Sequence, residues 1–262
     1  YYFLSVSNGA GALPAQQASV GNTTQQVTSF DDYDYVEDEE VNLVGTGRNW
    51  FGDVFEFTLS YNYSFTFPNL ITSEPIKAFV DVLGRSVSGG TEMKVSVGGA
   101  NLVNLPVNPI NTGGTYPNYG KHASKRFNFT SNGPSFTLNL NYDNAANPSA
   151  VAWLDDIEVQ VRRELRMAGS ALYFRDTQSL GSGAVAAFQI EGASPDLQVW
   201  DVTDPNAVQA IDGNFSNGTY SFGANANTLR EYVAFRGSNF STPTYVEAVE
   251  PQNLHGMAVP EM

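Results

Sequence analysis

Apolar and polar residues alternate along much of this chain. Phe55, Phe57, Leu59, Tyr61, Tyr63, Phe65 and Phe67 occupy every second position, with Glu56, Thr58, Ser60, Asn62, Ser64 and Thr66 between them. A repeat of two places alternate side chains on one face of an extended backbone. The segment therefore predicts one β-strand, or two in succession, with one face buried. The same period returns at Ile76, Ala78, Val80 and Val82, at Met93, Val95 and Val97, and at Phe136, Leu138, Leu140 and Tyr142. It appears again at Ile157, Val159 and Val161. A common core of Phe57, Leu59, Tyr61, Phe65, Phe136, Leu138, Leu140 and Trp153 follows from that pattern. The one helical candidate, Val161 to Met167, is short.

Turn formers punctuate these runs: Ser88-Gly89-Gly90, Gly98-Gly99, Asn111-Thr112-Gly113-Gly114 and Asn132-Gly133-Pro134. Short strands so separated indicate an all-β protein of the jelly-roll or β-sandwich kind. A boundary is expected near Ala168-Gly169-Ser170. Beyond it, Leu172-Tyr173-Phe174, Val185 to Ile190, Leu197 to Val202 and Leu229 to Phe235 read as further strands, and Asn217-Gly218 marks a tight hairpin. The expected organisation is a jelly-roll-like sandwich over residues 1–168 with an acidic loop at 31–40, then a smaller immunoglobulin-like β-domain over 169–249. Residues 250–262, with Pro251 and Pro260, are expected to form a linker. Tyr1-Tyr2-Phe3-Leu4-Ser5-Val6 reads as a strand already under way, so a fragment of a longer chain is expected.

Charge narrows the choice of partner. Net charge is −14 with only 13 basic residues, which argues against nucleic acid and anionic membrane, since a phosphate surface needs clustered Lys and Arg. Cysteine is absent, so disulfides, thiolate nucleophiles and cysteine metal sites are excluded. No run approaches the roughly 20 apolar residues of a membrane-spanning helix, so membrane insertion is not expected.

The richest polar cluster is Asp31, Asp32, Asp34, Glu37 and Asp38, followed by Glu39 and Glu40. Crowded carboxylates repel one another unless a cation joins them. Asp31, Asp32, Asp34, Glu37 and Asp38 are therefore the candidate metal ligands, with calcium the candidate ion. Their spacing is not that of an EF-hand, and a mobile, solvated acidic loop is the simpler reading. No other cofactor is expected. Gly45-Thr46-Gly47 lacks the lysine of a phosphate loop and reads as a turn, with Arg48 tied to a carboxylate and Trp50 anchoring it. His122 and His255 are the two histidines, read as surface residues in a loop and in the tail. Asp155 and Asp156 are neighbours on an expected strand and should point to opposite faces, which suits a structural or calcium role better than a paired-carboxylate catalyst.

Several segments carry a family resemblance. Gly45-Thr46-Gly47-Arg48-Asn49-Trp50-Phe51-Gly52, Trp153-Leu154-Asp155-Asp156-Ile157-Glu158 with Arg162-Arg163 behind it, and Val199-Trp200-Asp201-Val202-Thr203-Asp204-Pro205 resemble the region before the peptidase domain of PorU-type, gingipain-related sortases of type IX secretion. So do Tyr232-Val233-Ala234-Phe235, Thr242-Pro243 and Gln252-Asn253-Leu254-His255-Gly256, in the family's order. Asp156 departs from the aromatic residue the family pattern leads one to expect. The resemblance implies a parent cysteine peptidase that is exported and stands at the bacterial outer membrane, having passed through the periplasm. This segment would be its non-catalytic scaffold. The implied partner is the downstream peptidase domain, with cargo C-terminal signal domains or surface glycan as further candidates. A carbohydrate-binding β-sandwich module of a secreted bacterial protein is the alternative.

Overall fold

The computed structural model describes residues 13–43, 45, 47–114, 118–237 and 244–248. Tyr1 to Val6, the expected linker at 250–262, Thr46, Thr242-Pro243 and the Gln252 to Gly256 segment lie outside the described residues. The described residues form eighteen strands and no helix: β1 (Ala15–Ala18), β2 (Gln25–Val27), β3 (Ser29–Val36), β4 (Val54–Phe55), β5 (Ser60–Thr66), β6 (Ile76–Arg85), β7 (Thr91–Val97), β8 (Ala100–Val107) and β9 (Lys121–Phe129), then β10 (Ser135–Asp143), β11 (Val151–Glu164), β12 (Ala171–Arg175), β13 (Val185–Glu191), β14 (Leu197–Asp201), β15 (Gln209–Asp212), β16 (Asn214–Ser216), β17 (Thr219–Asn225) and β18 (Glu231–Arg236). The protein is all-β.

Three sheets make two layered bodies. A long sheet runs β1-β15-β14-β18-β12-β3-β11-β6-β9, with β4 beside β11. A second sheet, β5-β10-β7-β8, packs on the β11-β6-β9 part of the long one. Phe65, Met93, Val95, Leu105, Leu138, Leu140, Ile157 and Val159 fill the space between them. A third sheet, β16-β17-β13-β2, packs on the other half of the long sheet around Phe174, Phe188, Phe222 and Tyr232. The Phe188 and Phe222 rings stack there at 5.0 Å. Strand β3 joins the halves. It pairs with β11 along its whole length and with β12 at the single pair Arg175 and Asp31.

The alternating pattern maps onto these strands with three exceptions. Phe57 is 94% exposed, because the run Phe55 to Phe67 breaks at a bend between β4 and β5 and Phe57 sits on that bend. Trp153 is buried on the opposite face of β11 from the main core, against Phe51 and Leu83. The helical candidate Val161 to Met167 is instead the end of β11 and the residues just beyond it, because Val161 and Leu165 bury into sheet layers and Arg162 and Arg163 pair across the sheet. The Asn217-Gly218 hairpin forms as expected between β16 and β17, with both residues at positive φ (49° and 79°), as a type I′ turn requires.

Residues 15–27 belong to the second body although they precede the first in sequence. β1 pairs in parallel with β15, and β2 with β13. Between these two strands, the Val20 N–H donates to the Gly223 carbonyl at 2.9 Å, and a Cβ at position 223 would lie 1.9 Å from the Val20 oxygen. Only glycine admits so close an approach.

Candidate functional site

Two polar constellations stand out. The first lies where the halves meet. Arg162 and Arg163 are neighbours near the end of β11 and point to opposite faces, as strand geometry requires. Arg162 Nη1 donates to Asp31 Oδ1 at 2.9 Å and to Asp176 Oδ1 at 2.6 Å. The backbone N–H and the hydroxyl of Thr177 donate to the other Asp31 oxygen at 2.6 and 2.7 Å. Burial works against ionisation of Asp31, yet these hydrogen bonds from Thr177 and Arg162 hold its carboxyl below the usual range. On the other face, Arg163 Nη1 donates to Asp32 Oδ2 at 2.6 Å, and its guanidinium lies 5.1 Å from the Phe30 ring centre.

These contacts redraw the acidic segment. Asp31, Asp32 and Asp34 lie on strand β3, not in a loop, because the apolar partners of β11 and two arginines hold the segment extended. Asp31 and Asp32 each have their own arginine, while Asp34, Glu37 and Asp38 are exposed. The five candidate ligands do not converge on one point. Neutralisation by Arg162 and Arg163, each 131 residues away in sequence from its aspartate, is the signal that spacing within the segment does not contain.

The second constellation lies on the outer face of β6, β9 and β11. His122 Nδ1 is 3.1 Å from Asp81 Oδ1 and 3.7 Å from Asp155 Oδ2. His122 sits on strand β9, not in a loop, and is aligned with Leu83 of β6. A register shift between Leu154 and Asp156 marks a β-bulge in β11. Leu154 and Ile157 both face the core, so the bulge leaves Asp155 and Asp156 together on the outer side, not on opposite faces as unbroken alternation predicts. The hydrogen bond to Asp81 raises the His122 pKa. Burial, then the Asp81 charge, pushes Asp155 up. Burial and the charges of Asp155, Glu158, Asp81 and Glu37 push Asp156 up to about 6. Asp81 was not apparent as a site residue from sequence, since its only local mark is one charge inside an apolar strand and its partners come from strands far along the chain.

Beside this cluster lies an open cleft of about 570 Å³, walled by Leu43, Phe51, Leu83, Tyr119, Lys121 and His122. Leu43, Asn49 and Phe51, from the stretch between β3 and β4, form one wall. Val41 and Phe51 pair there in an antiparallel bridge, and Phe51, 3% exposed, docks against the sheet. Phe51 docks the glycine-rich segment into the fold, while the exposed Trp50 ties to the turn itself, its indole N–H donating to the Gly47 carbonyl at 3.4 Å. Arg85 holds the opposite wall by donating to the Tyr119 carbonyl at 2.6 Å and lying 4.5 Å from the Tyr119 ring centre. Tyr33, Tyr35 and Tyr173 add exposed aromatic rings to β3 and β12.

Two β-sandwich bodies threaded on one continuous sheet define the class of architecture. The fold is PorU-like: the chain superposes on the crystal structure of dimeric latent PorU from Porphyromonas gingivalis with a TM-score of 0.76 and 22% sequence identity, over 94% of this chain and 24% of that one. The chain thus spans about a quarter of the length of the PorU chain it is similar to. A carbohydrate-binding module, CBM36, in complex with calcium and xylotriose aligns over 38% of this chain and 71% of that one, at 16% identity and a TM-score of 0.26. The insecticidal delta-endotoxin Cry8Ea1 from Bacillus thuringiensis aligns over 52% of this chain and 25% of that one, at 20% identity and a TM-score of 0.33. No protein-family model and no curated protein matches the sequence. Among the described residues no helix is long and apolar enough to cross a membrane.

Proposed function

We propose that this chain is a non-catalytic scaffold region of an exported, gingipain-like cysteine peptidase that processes type IX secretion cargo at the outer membrane. The observation that carries the reading is the likeness to PorU over 94% of the chain, both sandwich bodies included. The sequence contains no cysteine, so the thiolate of a cysteine peptidase has to come from elsewhere in the parent. The role left to this segment is to position or gate that domain. A long sheet shared by two bodies suits it, because it fixes their relative geometry.

The test has two arms. The coding sequence flanking this segment should contain a domain with the His and Cys of a gingipain-like peptidase. That domain, expressed separately, should bind the chain when the two are mixed in a calorimeter. A tether supplies an effective concentration of about 1 mM, so a dissociation constant in that range or tighter suffices. A flanking sequence without such a domain removes the parentage. A peptidase domain that shows no binding leaves the parentage standing and removes the scaffold role.

A further inference from the structure

We propose that Asp81, His122 and Asp155 form a binding site for a divalent transition-metal ion, with zinc the ion the donor set fits.

The three ligands come from three adjacent, hydrogen-bonded strands, β6, β9 and β11, so the site rests on rigid sheet and not on loops. One oxygen from each carboxylate and one imidazole nitrogen lie within 4.8 Å of one another. Zinc bonds to His nitrogen and Asp oxygen at about 2.0–2.2 Å. Tetrahedral geometry at those lengths separates neighbouring ligand atoms by about 3.3–3.6 Å. The nitrogen-to-oxygen separations of 3.1 and 3.7 Å bracket that span, so an ion can enter with little movement of the side chains.

The donor set selects among metals. Calcium and magnesium take oxygen ligands almost alone, and calcium wants six to eight of them. An imidazole with two carboxylates suits zinc and its first-row neighbours. A metal there would displace the proton that His122 shares with Asp81, and leave a coordination position for water.

The bulge is the independent structural mark. It spoils the β11–β6 ladder at Asp155 and brings a second carboxylate, Asp156, to the same side. Asp81, Asp155 and Asp156 then share the outer face with one imidazole, and a single imidazolium charge does not balance three carboxylates. A dipositive ion comes closer. An ordinary ion pair between His122 and Asp81 needs neither the bulge nor Asp155.

The inference rests on these residues alone and is independent of the reading of the parent protein. The experiment titrates ZnCl₂ into the metal-free chain by calorimetry near neutral pH, with CaCl₂ in parallel and CoCl₂ for visible absorption. One zinc ion per chain should bind at micromolar concentration or below, raise the melting temperature and be lost on acidification, as protons retake His122 and the carboxylates. Cobalt should give the intense visible bands of a tetrahedral site. Losing a direct ligand in His122→Ala or Asp155→Asn should weaken binding by more than the about 10–100-fold typical of supporting residues. Asp143→Asn, a distant exposed carboxylate, should leave it unchanged. If His122→Ala proves misfolded by circular dichroism, Asp155→Asn and Asp81→Asn decide the matter. The proposal is overturned by the absence of stoichiometric zinc binding, by zinc binding that survives loss of all three side chains, or by a site that takes calcium in preference to zinc.

Discussion

Asp156 is a carboxyl whose neighbours are almost all carboxyls. Its pKa is pushed up to about 6 by burial, then by Asp155, Glu158, Asp81 and Glu37. The folded protein therefore holds this proton more tightly than the unfolded chain, whose aspartates titrate near 3.9. Between about pH 4 and pH 6 the native state carries the extra proton, so this group makes stability fall as pH rises through that window and remain lowered above it. Asp156→Asn should thus stabilise the metal-free protein at pH 7 and leave it nearly unchanged at pH 4. Because the side chain is only partly buried and solvent screens its neighbours, we expect a gain of about 1 kcal/mol, well under the undiscounted linkage value. Urea melts at the two pH values measure it, and equal effects at both would contradict the sign. Phe57 and Phe65 make a second pair of predictions. Phe65, 2% exposed in the core, should cost about 3–5 kcal/mol when changed to Ala, while Phe57→Ala, 94% exposed, should stay within about 0.5 kcal/mol. The alternating pattern marks both residues alike, because a bend of a few residues does not interrupt a period of two. Which aromatics face the core is legible from Ser60 onward, where the strand is continuous, and illegible at the bend.

Strand β3 carries the join between the two bodies, and Arg162 secures it. That guanidinium neutralises Asp31 of β3 and Asp176, just after β12, with its own side chain 9% exposed and that of Asp176 3% exposed. Removing one member of so buried a set leaves the others charged and unpaired, at a cost of about 3–5 kcal/mol. Arg162→Ala should lose that much in denaturant melts. Arg162→Lys should recover only part of it, because a compact ammonium in place of Nη1, which serves both carboxylates, leaves the Ser29 hydroxyl without the second donor, Nη2. A loss below about 1 kcal/mol for the alanine variant would mean the pair is not holding the join. The same element shows where sequence reasoning stops. The strands that alternate over four or more positions, such as Ile76 to Val82 and Phe136 to Tyr142, are visible because burial on one face shapes every second residue. β3 is not, since its polar positions are paired with charges from β11 and with the segment after β12. Pairing of that kind is a property of register between distant strands. The outer-face cluster was hidden for the same reason, and Asp155 also depends on a bulge that periodicity cannot register.

At the scale of the molecule, one sheet passes through both cores, and the shared strand should make them melt together. Trp153 sits in the first body and Trp200 in the second, so each can report on its own half. With the third tryptophan, Trp50, also changed to Phe, the one tryptophan left in the Trp200→Phe and Trp153→Phe variants should change its emission at one common temperature, within the shift caused by the substitutions themselves. Separated transitions would show that the seam at Asp31 and Arg175 is too thin to couple the halves. The parallel pairing of Ala15 with Gln209 and of Gln25 with Ala186 also sets an order of events. The segment that leaves the ribosome early has partners made much later, and the loop it must close encloses the entire first body. Contacts so distant in sequence form slowly, because their closure entropy is spent before any contact rewards it. During synthesis, β1 and β2 therefore wait as unpaired strands, each with open edges. Arrival of β13 to β15 ends that wait, so of the two bodies it is the later-made one that captures strands synthesised before either core.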